Sequence, residues 1–215
     1  MGMFELDIPP QTPEVKMHST TAAAVQAFEL AHAAKVATVE KHLSAPPPGP
    51  GEMQFVWTTA QFNTMTLIIW LIKHLGPIEE LTLSTYSISD LCINTLFSWM
   101  DSGRIGRVYF YLSDYVPRMS PKKWENLQSQ AASRTGMMEI GLGFNHSKVT
   151  LARIGCHRIV ITGSGNFAEN SGNEQYTICN NSEIYEFFRN CIREPHPVRY
   201  RADRVGKAGE TEMGS

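Results

Sequence analysis

The sequence predicts an α/β fold, a β-sheet covered by helices on both faces and preceded by one further helix. From Met53 onward, short runs rich in β-branched and aromatic residues alternate with helical stretches of roughly 10–16 residues, the pattern of a sheet packed between helices. Hydrophobic residues make up 42 % of the 215-residue chain, enough for a real core. The stretch Ala45-Pro-Pro-Pro-Gly-Pro-Gly51 ends any helix before it and favours an extended linker.

Residues 1–18 contain prolines and no periodic pattern. Thr20 to His42 is Ala-rich and free of Gly and Pro, so it reads as a helix, with Thr20 or Thr21 as N-cap. Val25, Phe28, Ala31, Val36 and Val39 have helical spacing, and His32 and His42 read as part of a solvated face. The helix is expected to pack on the core or on a partner subunit. The Pro-rich stretch marks a boundary. Residues 1–52 form an N-terminal extension, 53–193 the main domain, and 194–215 a polar tail expected to be disordered.

Within the main domain, strands are expected at Met53–Thr58, Glu80–Thr85, Arg107–Leu112, Met137–Leu142 and Gln175–Cys179. Helices are expected at Ala60–Leu75, Ile88–Met100, Pro121–Ala132 and Ser182–Cys191. Between Met137–Leu142 and Gln175–Cys179 the segment around His146 reads as one strand and His157–Thr162 as a second. Ile154-Gly155-Cys156 is the turn between them. On such a strand His146 and Lys148 point to the same side, about 6–7 Å apart along the backbone. The hairpin then brings Ser164 and Asn166, from Gly163-Ser164-Gly165-Asn166, beside them. An imidazole, an ammonium, a hydroxyl, an amide and glycine N–H groups at one strand end can all donate hydrogen bonds to a phosphate. The lysine supplies the positive charge that a metal supplies elsewhere.

With seven His and eight Lys in the chain, His-x-Lys alone is expected by chance roughly 0.3 times and means little. Joined in order to Gly-Ser-x-Asn, it resembles the signature of the phospholipase D superfamily, carried here by His146-Ser147-Lys148 and Gly163-Ser164-Gly165-Asn166. The resemblance implies a mixed sheet between helices over roughly Met53 to Arg193. It also implies metal-independent cleavage of phosphodiesters in lipids or nucleic acids, through a phosphohistidine on His146. Lys148, Asn166 and Ser164, with Gly163 and Gly165, would hold the phosphate, and Glu174 would orient the imidazole. The family Asp, five residues after the lysine, falls on Arg153. The family histidine acts together with a second copy of the motif, and one copy is present. The resemblance therefore implies a homodimer that shares its active site across the interface.

The substrate class the resemblance favours is nucleic acid. A lipid phosphodiesterase is the alternative, although no basic amphipathic helix supports it. An inactive scaffold that binds nucleic acid is the second class of reading. Net charge is −2, but residues 1–100 carry 4 basic against 9 acidic side chains and residues 101–215 carry 15 against 12. The motif thus lies in the basic half. Arg118, Lys122, Lys123, Arg199, Arg201 and Arg204 read as solvated charges within reach of a phosphate backbone. Ser84, Thr85, Tyr86 and Ser87 follow a strand and are candidates for the rim of the site, with turn and N-cap duty the competing reading for Ser87 and Ser89. His157 reads as structural. Trp57, Trp70, Trp99 and Trp124 read as packing residues. Cys92, Cys156, Cys179 and Cys191 form no Cys-x-x-Cys and no zinc spacing, and read as small buried residues in a reducing compartment. No cofactor is called for. Without a basic leader or an apolar run long enough to span a bilayer, the expectation is a cytoplasmic protein with no stable membrane association.

Overall fold

The computed structural model describes residues 36–37, 39–40, 46–59, 63–165, 167 and 173–194. The strands are β1 Met53–Thr59, β2 Ile78–Thr85, β3 Ile105–Ser113, β4 Met138–Gly143, β5 Val149–Ile154, β6 His157–Gly163 and β7 Asn173–Asn180. The helices are α1 Thr64–Leu75, α2 Asp90–Asp101, α3 Val116–Met119, α4 Pro121–Ser133 and α5 Ser182–Arg193. The strands form one mixed sheet in the order β1-β7-β6-β5-β2-β3-β4. β2, β3 and β4 run parallel. β5, β6, β7 and β1 pair antiparallel, and β5 joins the halves by pairing antiparallel with β2.

Strand alternation divides the apolar residues between two faces. On one face Leu81, Leu83, Val108, Phe110, Leu112, Ala152, Ile159 and Ile161 meet Leu67, Ile68 and Leu71 of α1, Ile93, Leu96 and Phe97 of α2, and Leu127 of α4. On the other, Tyr109, Val149, Leu151, Val160 and Cys179 meet Tyr185 and Ile192 of α5. Short polar side chains start the helices. Asn63 accepts from Thr66 N, Ser89 from Cys92 N and Asn181 from Ile184 N, each satisfying an otherwise orphan donor. N-cap duty in the second helix therefore belongs to Ser89, and Ser87 O instead accepts from Thr85 Oγ1 at 2.8 Å.

Several expectations change. His146 to Lys148 do not belong to a strand; β5 begins at Val149, because Ser147 N is drawn to Asn145 Oδ1 at 2.9 Å instead of a neighbouring strand. The short α3, opened by Val116-Pro117, was not expected. The Pro-rich stretch is not a free linker: Pro47 and Pro48 are buried. Asn180 Nδ2 donates to Pro48 O at 3.0 Å, and Gln54 Nε2 to Pro46 O at 2.8 Å. Residues 36–37 and 39–40 are helical, Val36 and Val39 are buried in the main core, and Glu40 pairs with Lys73 and His74 of α1 at 2.8 and 2.7 Å. The rest of the expected helix from Thr20 to His42 lies outside the described residues, as do the tail from position 195 and its Arg199, Arg201 and Arg204. Trp70 and Trp99 are core residues, but Trp57 is 68 % exposed, because it alternates outward on an edge strand. Cys92 and Cys179 are buried; Cys156 and Cys191 are exposed, one at the hairpin turn and the other on the outer side of α5. Among the described residues no helix is long and apolar enough to cross a membrane.

Arg153, in place of the family Asp, belongs to an ion network at the far end of β5. Its guanidinium lies 2.5 Å from Glu79 and 3.6 Å from Glu80. Glu80, whose side chain is 13 % exposed, also faces Arg107 at 3.4 Å, Arg189 at 3.9 Å and Arg193 at 3.8 Å. Isolated surface pairs stabilise by less than about 1 kcal/mol, but one half-buried carboxylate shared by four guanidiniums resists loss of any member. Arg153→Asp, which restores the family residue, places a third carboxylate against Glu79 and Glu80. It is expected to cost about 1–3 kcal/mol in urea unfolding; unchanged or raised stability would contradict the role given to this network.

Candidate active site

The site is built where β5 and β6 open away from their turn. Val149 pairs with Thr162 and Ile154 with His157, so the two-residue turn Gly155-Cys156 lies at the opposite end. Gly155 sits at φ +54°, the left-handed conformation that glycine adopts without steric cost. At the open end Gly163 N donates to Lys148 O at 3.3 Å, which places the start of Gly163-Ser164-Gly165 against the His146-Ser147-Lys148 segment. His146 and Ser164 are exposed and Lys148 is half-buried, so the group faces solvent.

Asn145, which sequence reasoning passed over, holds this segment. It is 6 % exposed. Its Nδ2 donates to Tyr111 O at 2.8 Å, Ser84 Oγ at 3.1 Å and Thr85 O at 3.3 Å. Its Oδ1 accepts from Ser147 N at 2.9 Å and Ser147 Oγ at 2.7 Å. Ser147 Oγ also lies 2.5 Å from Ser84 Oγ. Ser147, between His146 and Lys148, is thus tied to Asn145 and Ser84, which pins the backbone of the segment. The available signal was a short amide two residues before a serine, the pattern of an Asx turn.

The His146 ring packs against Tyr86, with centroids 5.0 Å apart and planes at 53°. Lys148 Nζ donates to His146 O at 3.0 Å. Ser164 Oγ donates to Glu174 Oε2 in a short hydrogen bond and accepts from Gln175 N at 3.1 Å. The expected contact of Glu174 with His146 is not among the hydrogen bonds of the described residues. Glu174 is on β7, two strands or about 10 Å from β5, and it spends its carboxylate on Ser164. Gly163 is a glycine for packing reasons, since a Cβ there would collide with Gln175 O and the Tyr176 ring. Gly165 is buried, and Asn166 lies outside the described residues. Beyond it Phe167 is buried and bridges Ile88, on the other side of β5 from Gly163.

β1 and β2 both end at this edge of the sheet, and α2, which follows β2, carries Asp90 in its first turn. Lys123 Nζ donates to Ile88 O at 2.7 Å, fixing the loop that carries Tyr86. His157 stands at the other end of the hairpin, 2.8 Å from Asn180 Nδ2, in a structural contact. A cleft of about 430 Å³ also lies at that far end, between Glu80, Arg107, Tyr109, Glu139 and Arg193. Its charges already answer one another: Arg193 pairs with Glu139 at 2.6 Å and lies 3.8 Å over the Tyr109 ring. Among the described residues no group of three or more His, Cys, Asp or Glu is placed to hold a metal ion.

No family model and no curated protein matches the chain. Among solved structures, the polyphosphate kinase from Porphyromonas gingivalis matches with a TM-score of 0.51 and 15 % identity, covering 69 % of this chain and 27 % of that one. This chain thus spans about a quarter of the length of that kinase. TrmBL2, an archaeal chromatin protein, matches at 0.45 and 13 % identity, covering 79 % and 61 % of the two chains. The phosphatidylserine synthase of Haemophilus influenzae Rd KW20 matches at 0.46 and 11 % identity, covering 64 % and 36 %. The likeness to polyphosphate kinase shows a shared α/β fold over that part of the chain.

Replacing Asn145 by Ala leaves the Tyr111 and Thr85 carbonyls and the Ser147 donors without their partner. The expected cost is about 2–4 kcal/mol in urea unfolding, with faster amide hydrogen exchange at Ser147. Unchanged exchange there would show that the segment holds its shape without the amide.

Proposed function

We propose that this chain is a metal-independent phosphodiesterase acting on nucleic acid, as a homodimer with one active site shared between two subunits. The observation that carries the reading is the placement of His146, Lys148 and Ser164 at the open end of the β5–β6 hairpin, where Gly163 N meets Lys148 O and Asn145 holds Ser147 between His146 and Lys148.

His146 of one subunit attacks phosphorus, and the P–O bond to the leaving group breaks as the new N–P bond forms. His146 of the partner subunit protonates the leaving oxygen, since a nucleophile and an acid must stand on opposite sides of phosphorus. Water, deprotonated by that second imidazole, then displaces the first from phosphorus and restores both histidines. Lys148 from both subunits neutralises the non-bridging oxygens, together with Asn166; each preorganised donor is worth on the order of 3 kcal/mol. In this reading Glu174 acts through Ser164, fixing its hydroxyl at the mouth of the site. Gly165 contributes backbone.

The test is cleavage of labelled DNA and RNA in excess EDTA, by wild type and by His146→Ala. Expected is EDTA-resistant cleavage that falls at least about 10³-fold in the mutant, the order of a lost nucleophile. Cleavage that survives the mutation would contradict the assignment. Turnover only on phospholipid would move the substrate to the lipid class, and salt-sensitive binding without cleavage would make the chain a binding protein.

A further inference from the structure

Exposed aromatic side chains gather at the site end of the sheet. Tyr86 follows β2, the strand beside β5; Tyr115 follows β3, one strand further out; and Phe144 follows β4 at the same end of the sheet and leads into His146. They are 38, 43 and 74 % exposed. Tyr86 rests on the His146 ring, and Phe144 is two residues before it, about 6–7 Å along extended chain. Ordinary packing does not account for them. Phe110 and Phe167, which the core needs, are buried, and these three stay in water beside reactive groups.

We infer that these rings are stacking platforms for unpaired bases, so that the substrate is single-stranded nucleic acid; the inference rests on the phosphodiesterase reading above. A phosphate held at His146 and Lys148 brings its two flanking nucleotides within one residue spacing of the site, where Tyr86 and Phe144 stand. Bases of a duplex are already stacked on each other and cannot lie on a protein ring, whereas unpaired bases can. Two other occupants fit less well. A lipid surface calls for a contiguous aliphatic or basic amphipathic face, and this rim is aromatic with two phenol hydroxyls. A subunit interface through this edge, which the shared site requires, has to leave room for the phosphate and its flanking nucleotides, so Tyr86 on the His146 ring lines the space the substrate enters.

The experiment is fluorescence anisotropy with labelled oligodeoxythymidine, alone and annealed to oligodeoxyadenosine, on full-length protein carrying His146→Asn to prevent turnover. Phe144→Ala and Tyr115→Ala are added singly, and Phe187→Ala, an equally exposed ring on α5, is the control. The single strand is expected to bind at least about tenfold more tightly than the duplex, and each rim variant to weaken it about 5- to 10-fold, the scale of one base–aromatic stack. Phe187→Ala leaves the affinity unchanged. Equal affinity for the duplex, or unchanged affinity in both rim variants, overturns the inference. So does dissociation of a dimer by Phe144→Ala with strand affinity intact, or binding to phosphatidylcholine–phosphatidylglycerol vesicles in place of the oligonucleotide. Failure of His146→Ala to remove cleavage would sink the catalytic reading alone, because strand binding is read here without turnover.

Discussion

Val149 pairs with Thr162, and Ile154 with His157, and the candidate site hangs on that register. A hairpin closed by two residues leaves no slack, and a slip of one residue would turn every side chain of β6 to the other face. Ile159 and Ile161 would leave the main core, and Ser164 would leave the edge where Lys148 stands. The buried pattern that stabilises the sheet is therefore the same pattern that assembles the reactive groups. Asn145 completes the arrangement from the other side. It ties the approach to β5 onto β2 and β3, so the position of His146 is set by three strands rather than by a loop alone.

The two ends of the sheet do different work. The end with the hairpin turn carries the Glu80 network, in which guanidiniums and carboxylates offset one another. The open end carries His146, Lys148, Ser164 and exposed rings, with fewer mutual partners. Arg153 makes sense in this division. Five residues of strand, about 17 Å, separate it from Lys148, so its charge supports the sheet without entering the chemistry.

Much of this was legible in the chain. The alternation of β-branched runs with helical stretches placed each strand and main helix within a few residues, because each element carries its own period and its own cap. The motif placed His146, Lys148 and Ser164 at one end of a hairpin, and Gly163 N does meet Lys148 O there. What stayed hidden was non-local. Nothing near His146 announces that Ser147 will bond Ser84, 63 residues away. Nothing near Arg153 announces Glu79, 74 residues back. Glu174 was expected in a loop facing His146, yet it lies on β7, where strand order puts it beside Ser164. The burial of Pro47 and Pro48 likewise depends on Asn180, a partner 132 residues from Pro48.

In the proposed mechanism His146 becomes covalently bonded to phosphorus during turnover. The direct measurement is rapid acid-free quenching of wild-type protein during turnover of a phosphodiester, followed by intact-mass and peptide analysis. Expected is an acid-labile, base-stable phosphoryl adduct on the peptide containing His146 that disappears as substrate is exhausted. Steady turnover with no adduct at His146, or with one on a different residue, would contradict it.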